Sequence, residues 1–236
     1  MTTILLTGSS RGIGAATREL LEARGARVIG HSTTGDDAGE IAADFTDPEA
    51  PAILWESALD QAGGTIDVLV NNAGLFKANP IDSDDSSWFD EWEGTLRINL
   101  TAAAQLSRFA VQHWQERESS GRIIHVASRA GHRGDSPAHW HYAAAKGGML
   151  ALHKTIARAY AKDKIVSYAV TPGFTDTAMA GDYLESRGGP GLLADIPLGR
   201  VAEPEEIANI IAWLALEAPA SLTGATLDAN GASYVR

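Results

Sequence analysis

Short apolar and β-branched runs alternate with helical patterns along most of this chain. The apolar runs lie at residues 3–7, 26–31, 66–71, 122–128, 165–171 and 225–228. The helical patterns between them lie at residues 12–24, from 47 onward, and at 85–114, 142–162 and 204–216. Strands that alternate with helices in this way build a parallel sheet covered on both sides. We therefore predict an α/β fold with a doubly wound parallel sheet and helices on both faces.

The domain organisation follows from length and from the absence of internal boundaries. A chain of 236 residues suits one large α/β unit, and no composition shift, linker or repeat divides it. We expect a single domain over residues 1–236. Residues 173–203 form one long stretch without clear periodicity, rich in Gly, Asp and Pro. We expect its central part, at about 174–200, to act as a lid over a substrate.

Composition and charge exclude several function classes. The chain has no cysteine, which removes a disulfide scaffold, a thiolate metal site and a cysteine nucleophile, and fits a cytoplasmic location. Its start lacks the basic region of a signal peptide, and its longest apolar stretch, 207–216, is about half a membrane span. Thirty acidic against nineteen basic residues give a net charge of −11, which disfavours nucleic acid and anionic membranes. We expect a soluble protein that holds any phosphate ligand locally.

A glycine-rich turn joins the first predicted strand to the first helix. Gly8, Gly12 and Gly14 would let backbone N–H groups approach a pyrophosphate, which the positive end of the helix also attracts. The spacing G-x3-G-x-G departs from the G-x-G-x-x-G dinucleotide fingerprint, so a tight turn without a ligand is the alternative.

A second motif, Asn71-Asn72-Ala73-Gly74, follows the third predicted strand. Its amides can tie strand ends together, and its small residues leave room for a flat ligand, whereas the alternative is a plain Asn/Gly turn.

A tyrosine and a lysine lie four residues apart at two places in the chain. The spacing puts Tyr142 and Lys146 on one helical face, where a cation favours the phenolate and lowers the pKa of the tyrosine. Tyr160 and Lys164 have the same spacing, so the pattern alone does not identify a site. Tyr142 is predicted at the carboxyl edge of the sheet, where such folds bind ligands. Tyr160 lies about 27 Å further along the helix, and we interpret that pair as a solvated helix end.

Taken together, these motifs resemble those of the short-chain dehydrogenase/reductase family over nearly the whole chain. The family glycine pattern T-G-x3-G-x-G is met from Thr7 to Gly14, and its N-N-A-G motif is met by Asn71 to Gly74. The resemblance implies a Rossmann-like fold. The family's catalytic tetrad falls on Asn99, Ser128, Tyr142 and Lys146. One departure is the fourteen-residue spacing of Ser128 and Tyr142, which is about one longer than usual and adds Trp140 to the site wall.

The resemblance implies NAD(P)-dependent oxidoreduction of a carbonyl or an alcohol. Ser128 and Tyr142 would hydrogen bond the carbonyl oxygen, and Tyr142 would donate the proton. Lys146 would lower the pKa of the tyrosine and bind the nicotinamide ribose, and Asn99 would hold a water that links Lys146 to solvent. A nucleotide sensor or an inactive partner subunit on the same fold is the alternative.

Residues from several loops are expected to bind the cofactor. No acid follows the second predicted strand, whereas Arg11, His31, Ser32 and Thr33 could bind a 2′-phosphate. We therefore expect NADP, with NAD as the alternative. The full expected set is Gly8, Ser10, Arg11, Gly12, Ile13, Gly14, His31, Ser32, Thr33, Asp44, Asn72, Ala73, Gly74, Tyr142, Lys146, Pro172, Gly173, Thr175 and Thr177.

The expected partners are a small carbonyl or alcohol substrate and further copies of this chain. A basic and aromatic rim lies between the serine and the tyrosine, at Arg129, His132, Arg133, His139, Trp140 and His141. The rim suits an anionic or polar substrate or is a solvated loop, and without a nearby acid or cysteine pattern we expect no metal site. The helical patterns 85–114 and 142–162 are apolar on more than one face, which predicts a homo-oligomer, either a tetramer or a dimer.

Overall fold

A parallel sheet forms the centre of the computed structural model, which describes residues 1–35, 39–177 and 193–236. Within these residues the sheet has seven strands in the order β3-β2-β1-β4-β5-β6-β7, and every neighbouring pair is parallel. The strands are β1 (Thr3–Thr7), β2 (Arg27–Ser32), β3 (Ile41–Ala42), β4 (Val68–Asn71), β5 (Gly121–Val126), β6 (Ile165–Pro172) and β7 (Thr226–Ala229). The strand order reverses between β1 and β4, which creates a crevice at their carboxyl ends.

Helices follow the strands and cover both faces of the sheet. They are α1 (Gly12–Ala23), α2 (Ala50–Ala62), α3 (Asp85–Leu96), α4 (Ala102–Glu116), the short α5 (Ala130–Arg133), α6 (Trp140–Tyr160) and α7 (Pro204–Leu216). A π-helical segment, Arg97–Thr101, joins α3 to α4. Among the described helices, none is both long and apolar enough to cross a membrane.

The alternation of side chains along β1 shows that both faces of the sheet are buried. Leu5 packs in a cluster with Leu54 of α2 and Leu106 of α4. Its neighbours Ile4 and Leu6 point to the other face and pack in a cluster that contains Ile207 and Ile211 of α7. Apolar burial on both faces is what a doubly wound sheet requires.

The predicted fold class is confirmed, with two local differences. The two-residue strand β3 was not predicted, because so short a segment leaves no apolar run in the sequence. The helical pattern at 85–114 is interrupted by the π-helical segment, which periodicity alone does not distinguish from a continuous helix. The lid expected at about 174–200 falls largely on residues 178–192, which lie outside the described residues.

Candidate active site

A cavity of about 750 Å³ lies at the carboxyl ends of the strands. This volume is within the usual range of small-molecule and cofactor sites. The expected site residues that line it are Gly8, Ser10, Arg11, Gly12, Ile13, Gly14, His31, Ser32, Thr33, Asp44, Asn72, Ala73, Gly74, Ser128, Tyr142, Lys146, Pro172, Gly173, Thr175 and Thr177. Asn99 is the one expected site residue that does not line the cavity.

The glycine loop after β1 is packed so closely that side chains are excluded. Gly8 and Gly12 have positive φ values of 66° and 52°, a conformation that favours glycine. A Cβ at Gly14 would lie 1.8 Å from the carbonyl oxygen of Gly8. A Cβ at Gly12 would lie 2.9 Å from Cγ2 of Thr177, so the segment after β6 lies directly on the loop.

The N-terminus of α1 opens onto this loop without a side-chain cap. Arg11 occupies the N-cap position in an extended conformation and makes no side-chain capping hydrogen bond. The first N–H groups of a helix lack partners within the helix and carry its positive dipole end. Together with the glycine geometry, this arrangement fits the pyrophosphate of a dinucleotide.

The amide of Asn72 holds the ends of β1 and β4 together. Its Nδ2 donates to the carbonyl oxygens of Thr7, at 3.0 Å, and Gly8, at 2.9 Å. The hydroxyl of Thr7 accepts from the backbone N–H groups of Asn72 and Ala73. Asn72 therefore shapes the cavity wall through the backbone, as expected from the amides of this motif.

His31 has both ring nitrogens engaged within the protein. Nδ1 lies 3.2 Å from the backbone nitrogen of Gly8, and Nε2 lies 2.8 Å from the carbonyl oxygen of Ala43. The ring stacks on Phe45 with centroids 4.4 Å apart, and burial lowers the pKa of His31. This arrangement suits a neutral wall of the cavity, so the geometry does not support the expected phosphate contact from His31 and leaves Ser32, Thr33 and Arg11 for that role.

A buried ion pair behind the glycine loop was missed by the sequence reasoning. The carboxylate of Glu40 accepts a hydrogen bond from the hydroxyl of Ser9 and lies 3.4 Å from a guanidinium nitrogen of Arg18. Glu40 follows Gly39 in a loop and carries no recognisable motif, so its burial depends on tertiary packing. The pair anchors the loop from behind, and Arg18 balances the charge of the acid.

Ser128, Tyr142 and Lys146 meet at the opposite end of the cavity. A Cβ at Gly131 would lie 2.7 Å from the backbone carbon of Lys146, so this glycine lets α5 approach the backbone of α6. The hydroxyl of Ser128 lies near the Tyr142 phenol and lowers its pKa, and it accepts a hydrogen bond from the N–H of Ala130 at 3.1 Å. The ammonium of Lys146 lies 5.8 Å from the centroid of the Tyr142 ring.

Burial controls the ionisation of this tyrosine and lysine. It raises the pKa of Tyr142 to about 12, although the nearby Ser128 side chain opposes the rise. Burial also lowers the pKa of Lys146 to about 8, and its Nζ donates to the carbonyl oxygen of Val126 at 2.9 Å. The expected lowering of the tyrosine pKa by Lys146 is therefore not seen in this structure. At neutral pH Tyr142 is a protonated phenol, the form that donates a proton.

Asn99 lies in the π-helical segment and supports the loop after β4. Its Oδ1 accepts from the N–H of Leu75 at 2.8 Å, and its Nδ2 donates to the carbonyl oxygen of the same residue at 2.9 Å. A Cβ at Gly74 would lie 2.7 Å from Oδ1 of Asn99 and 3.5 Å from Nζ of Lys146. The bare glycine thus lets both side chains approach the same backbone.

Phe76 and Asp135 are among the cavity residues that were not identified from the sequence. Phe76 contacts the Tyr142 ring edge-on, with centroids 4.8 Å apart, and stacks on His139 at 4.0 Å. Asp135 lines the cavity, and its charge raises the pKa of Tyr142 further. Phe76 follows the Asn71–Gly74 motif by two residues, so its position after a strand end was the available signal.

The second tyrosine-lysine pair is separated from this cavity, as expected. Tyr160 ends α6 and packs against the apolar cluster around Leu54 and Trp114. Lys164 lies beyond the helix, in a left-handed conformation with φ of 62°. Tyr160 is therefore partly a core residue rather than only a solvated helix end.

The residues of the basic and aromatic rim between Ser128 and Tyr142 differ in their surroundings. Arg133 pairs with Asp195 at 3.1 Å, and His132 stacks on Tyr234. Trp140 is exposed, whereas His141 is buried. Arg129 alone among the rim residues lines the cavity.

Comparisons with known proteins agree with this geometry. Residues 8–231 match a family model described as enoyl-(acyl carrier protein) reductase. The chain is 37% identical to a 3-oxoacyl-(acyl-carrier-protein) reductase of Vibrio cholerae, over 98% of this chain and 96% of the relative. It is 36% identical to the Escherichia coli protein of the same name, with the same coverage. The Pseudomonas aeruginosa protein of that name is 35% identical, again with 98% and 96% of the two chains covered.

Proposed function

The chain belongs to the short-chain dehydrogenase/reductase family and is an NAD(P)-dependent oxidoreductase that acts on a carbonyl or alcohol group; from this premise we propose that it reduces a carbonyl with Tyr142 as the proton donor. The observation that supports this role is the desolvated Tyr142 phenol, which lines the cavity together with Ser128 and whose pKa Ser128 lowers. A positioned acid of this kind supplies roughly 10²–10⁴-fold of rate.

The remaining catalytic residues position the carbonyl oxygen and the proton. The hydroxyls of Ser128 and Tyr142 both donate to that oxygen, which stabilises the negative charge that develops on it. Lys146 contributes a buried positive charge behind the tyrosine, and Asn99 keeps the loop after β4 in place. The nicotinamide cofactor, when bound, supplies the hydride.

The glycine loop, the end of β2 and the segment after β6 would hold this cofactor. The uncapped N–H groups of α1 would bind its pyrophosphate, and Thr175 and Thr177, which line the cavity, would contact its nicotinamide end. Asp44, whose carboxylate accepts from the N–H of Thr46 at 2.9 Å, lines the cavity and would contact the adenine.

We propose a preference for NADP over NAD. Residues 31–34 at the end of β2 include no acid, and the acid nearby, Glu40, is held behind the loop by Ser9 and Arg18. Arg11 lines the cavity, and across the described ranges of the chain it makes no ion pair. A guanidinium in this place can form charge-assisted hydrogen bonds to a 2′-phosphate.

Replacing Arg11 with Ala is expected to weaken NADPH binding by about 1.5–3 kcal/mol, roughly ten- to hundredfold in Kd, because a contact to a charged phosphate is lost. The Kd of NADH should hardly change, since NADH lacks that phosphate. Fluorescence titration of both cofactors measures the difference. Equal losses of affinity for NADPH and NADH would show that Arg11 supports only the loop. A preference of the wild-type protein for NADH would refute the proposed preference for NADP.

A 3-oxoacyl compound is the first substrate class to test, because the relatives carry the name 3-oxoacyl-(acyl-carrier-protein) reductase. We expect the purified protein to oxidise NADPH in the presence of a 3-oxo ester, within a panel that also holds simple ketones and sugars. Binding of NADPH without turnover of any of them would favour the nucleotide-sensor alternative.

A homo-oligomer in the cytoplasm completes the proposal. Leu106, Met149 and Ile156 are buried within one chain, whereas Phe89 and Trp140 on α3 and α6 are 60% and 54% exposed. Exposed aromatic side chains of this size favour an interface with a second copy. The reducing cytoplasm suits a cysteine-free chain, and the net charge of −11 disfavours a nucleic-acid partner.

Light scattering at micromolar concentration is expected to give the mass of a dimer or tetramer of the 24.9 kDa chain. Phe89→Ser combined with Trp140→Ser should shift the distribution toward smaller species, because it removes apolar area from the interface. A wild-type monomer of about 25 kDa would contradict this expectation.

A further inference from the structure

An acidic side chain lines the cavity near the proposed proton donor. Asp135 lies between Ser128 and Tyr142 in the sequence, and all three residues line the same cavity. The negative charge of Asp135 acts on the Tyr142 phenol, whose pKa it raises. Electrostatic effects of this kind fall off with distance and with screening by solvent. A substrate whose carbonyl oxygen lies at Tyr142 is therefore bound within reach of this carboxylate's field.

The loop that carries Asp135 is held in place by its own backbone contacts. Gly134 ends α5 with a positive φ of 80°. Oδ1 of Asp135 accepts a hydrogen bond from the N–H of Ser136 at 2.7 Å, which orients the carboxylate. Further along, the carbonyl oxygen of Ala138 accepts from the N–H of Asn79 at 2.7 Å, which joins this loop to the loop after β4. The protein thus sets the position of the carboxylate before a substrate binds.

The cations around these two loops are paired with other acids. Arg133, at the end of α5, pairs with Asp195 at 3.1 Å. Lys77, in the loop after β4, pairs with Glu91. Over residues 1–35, 39–177 and 193–236, Asp135 itself makes no ion pair. Its charge therefore acts on a bound substrate, and the net charge of −11 repels an anion in the same way at longer range.

Two buried cations that line the cavity have contacts of their own within the protein. The guanidinium of Arg129 is held by protein contacts, among them a stack on Phe174 with 4.6 Å between its central carbon and the ring centroid. The ammonium of Lys146 donates to the carbonyl oxygen of Val126. Both cations are present whether or not residue 135 is charged. A comparison of variants at Asp135 therefore isolates the effect of its carboxylate.

We propose that Asp135 is a specificity-determining residue that disfavours anionic substrates, so that the preferred substrate class is a neutral oxo compound, such as a 3-oxo ester or thioester, rather than an oxo acid. The inference rests on the proposed carbonyl reduction and deepens it by defining the charge of the substrate. Asp135 takes no part in hydride or proton transfer. It acts through the Coulomb energy between its carboxylate and a charge next to the reacting carbonyl.

The test uses three oxo compounds of different charge at saturating NADPH: 3-oxobutanoate, its methyl ester and trimethyl(2-oxopropyl)ammonium. The wild-type protein should show a higher kcat/KM for the ester than for the anion. Asp135→Asn should raise kcat/KM for the anion by roughly three- to tenfold, lower it for the cation by a similar factor and leave it nearly unchanged for the ester. Opposite changes for anion and cation distinguish an electrostatic role from a structural one, which affects all three compounds alike.

Two further variants and a change of salt serve as controls. Asp135→Glu keeps the charge and should keep the wild-type order of the three compounds. Asp60→Asn removes the same charge from an exposed position near the end of α2, outside the cavity, and should leave the ratios among the compounds unchanged. Salt screens exposed charges, so raising NaCl from about 20 mM to about 500 mM should shrink the difference between anion and ester in wild type but not in Asp135→Asn.

A binding measurement separates this inference from the catalytic one. Calorimetry with butanoate and the NADP⁺ complex should show tighter binding to Asp135→Asn than to wild type, whereas Asp60→Asn should match wild type. A wild-type preference for 3-oxobutanoate over its ester, or the same ratio of anion to ester in wild type and Asp135→Asn, would overturn the role of Asp135. Parallel losses for all three compounds with a lower Tm would also overturn it, because Asp135 would then only support the loop. If no compound is reduced but butanoate binds more tightly to Asp135→Asn, the proposed reduction fails while the charge preference stands.

Discussion

Tyr142→Phe is expected to lower the kcat of NADPH-dependent carbonyl reduction by roughly 10²–10⁴-fold while leaving NADPH binding nearly unchanged. The substitution removes the proton donor and one of two hydroxyls at the carbonyl oxygen. It keeps the aromatic ring that packs against Phe76 and so preserves the cavity wall. Initial rates, the Kd of NADPH and the Tm measured on one preparation separate chemistry from binding and folding.

Tyr160→Phe is the matched control for this prediction. Tyr160 belongs to the same helix, and its ring packs against the core far from the cavity. We expect its loss of a hydroxyl to change kcat by less than about twofold, because surface or core-edge changes of this size have small effects. Near-normal activity of Tyr142→Phe would remove the tyrosine from the mechanism.

Gly14→Ala is expected to destabilise the protein by about 3 kcal/mol or more and to abolish measurable NADPH binding. The added Cβ would lie 1.8 Å from the carbonyl oxygen of Gly8, so the loop or α1 must move. Overpacking at a rigid site costs about 1–3 kcal/mol and occasionally more, and a displaced loop no longer presents its N–H groups to a pyrophosphate. Denaturant unfolding and fluorescence titration measure the two losses.

Gly94→Ala provides the control for that substitution. Gly94 lies within α3, and a Cβ added there would meet nothing within 4 Å. The change should stabilise the protein by up to about 1 kcal/mol, because alanine favours a helix over glycine, and should leave NADPH affinity intact. Normal cofactor binding by Gly14→Ala would mean that the close packing of the loop is not needed for the dinucleotide.

The sequence predicted most of the sheet because buried parallel strands leave continuous apolar runs. The run at residues 3–7 coincides with β1, and that at 165–171 differs from β6 by one residue. The strand β3 has only two residues, too few to produce a pattern. Helix boundaries are marked by other signals. Pro204 occupies the first helical position of α7, directly after the capping residue Glu203.

The sequence predicted those site residues whose position follows from the order of the strands and helices. It did not predict the contacts that depend on tertiary packing. Ser128, Tyr142 and the glycine loop follow strands, so the parallel topology alone places them at one edge. The ring nitrogens of His31 contact the backbone of Gly8 and Ala43. These contacts join β2 to the segments after β1 and β3, and no local sequence pattern predicts them. The burial that raises the pKa of Tyr142 likewise arises from the assembled cavity. The spacing of Tyr142 and Lys146 indicated that the two side chains are close. It did not indicate that burial has the largest effect on the pKa of Tyr142.

Transfer of deuterium from the cofactor to the product tests the central claim most directly. The wild-type protein is incubated with a 3-oxo ester and NADPH that carries deuterium at both C4 positions, and the product is analysed by mass spectrometry. Hydride transfer to a carbonyl predicts one deuterium on the carbon that bears the new hydroxyl group. An alcohol product without deuterium, or no product although NADPH binds, would contradict the assignment of this protein as a carbonyl reductase.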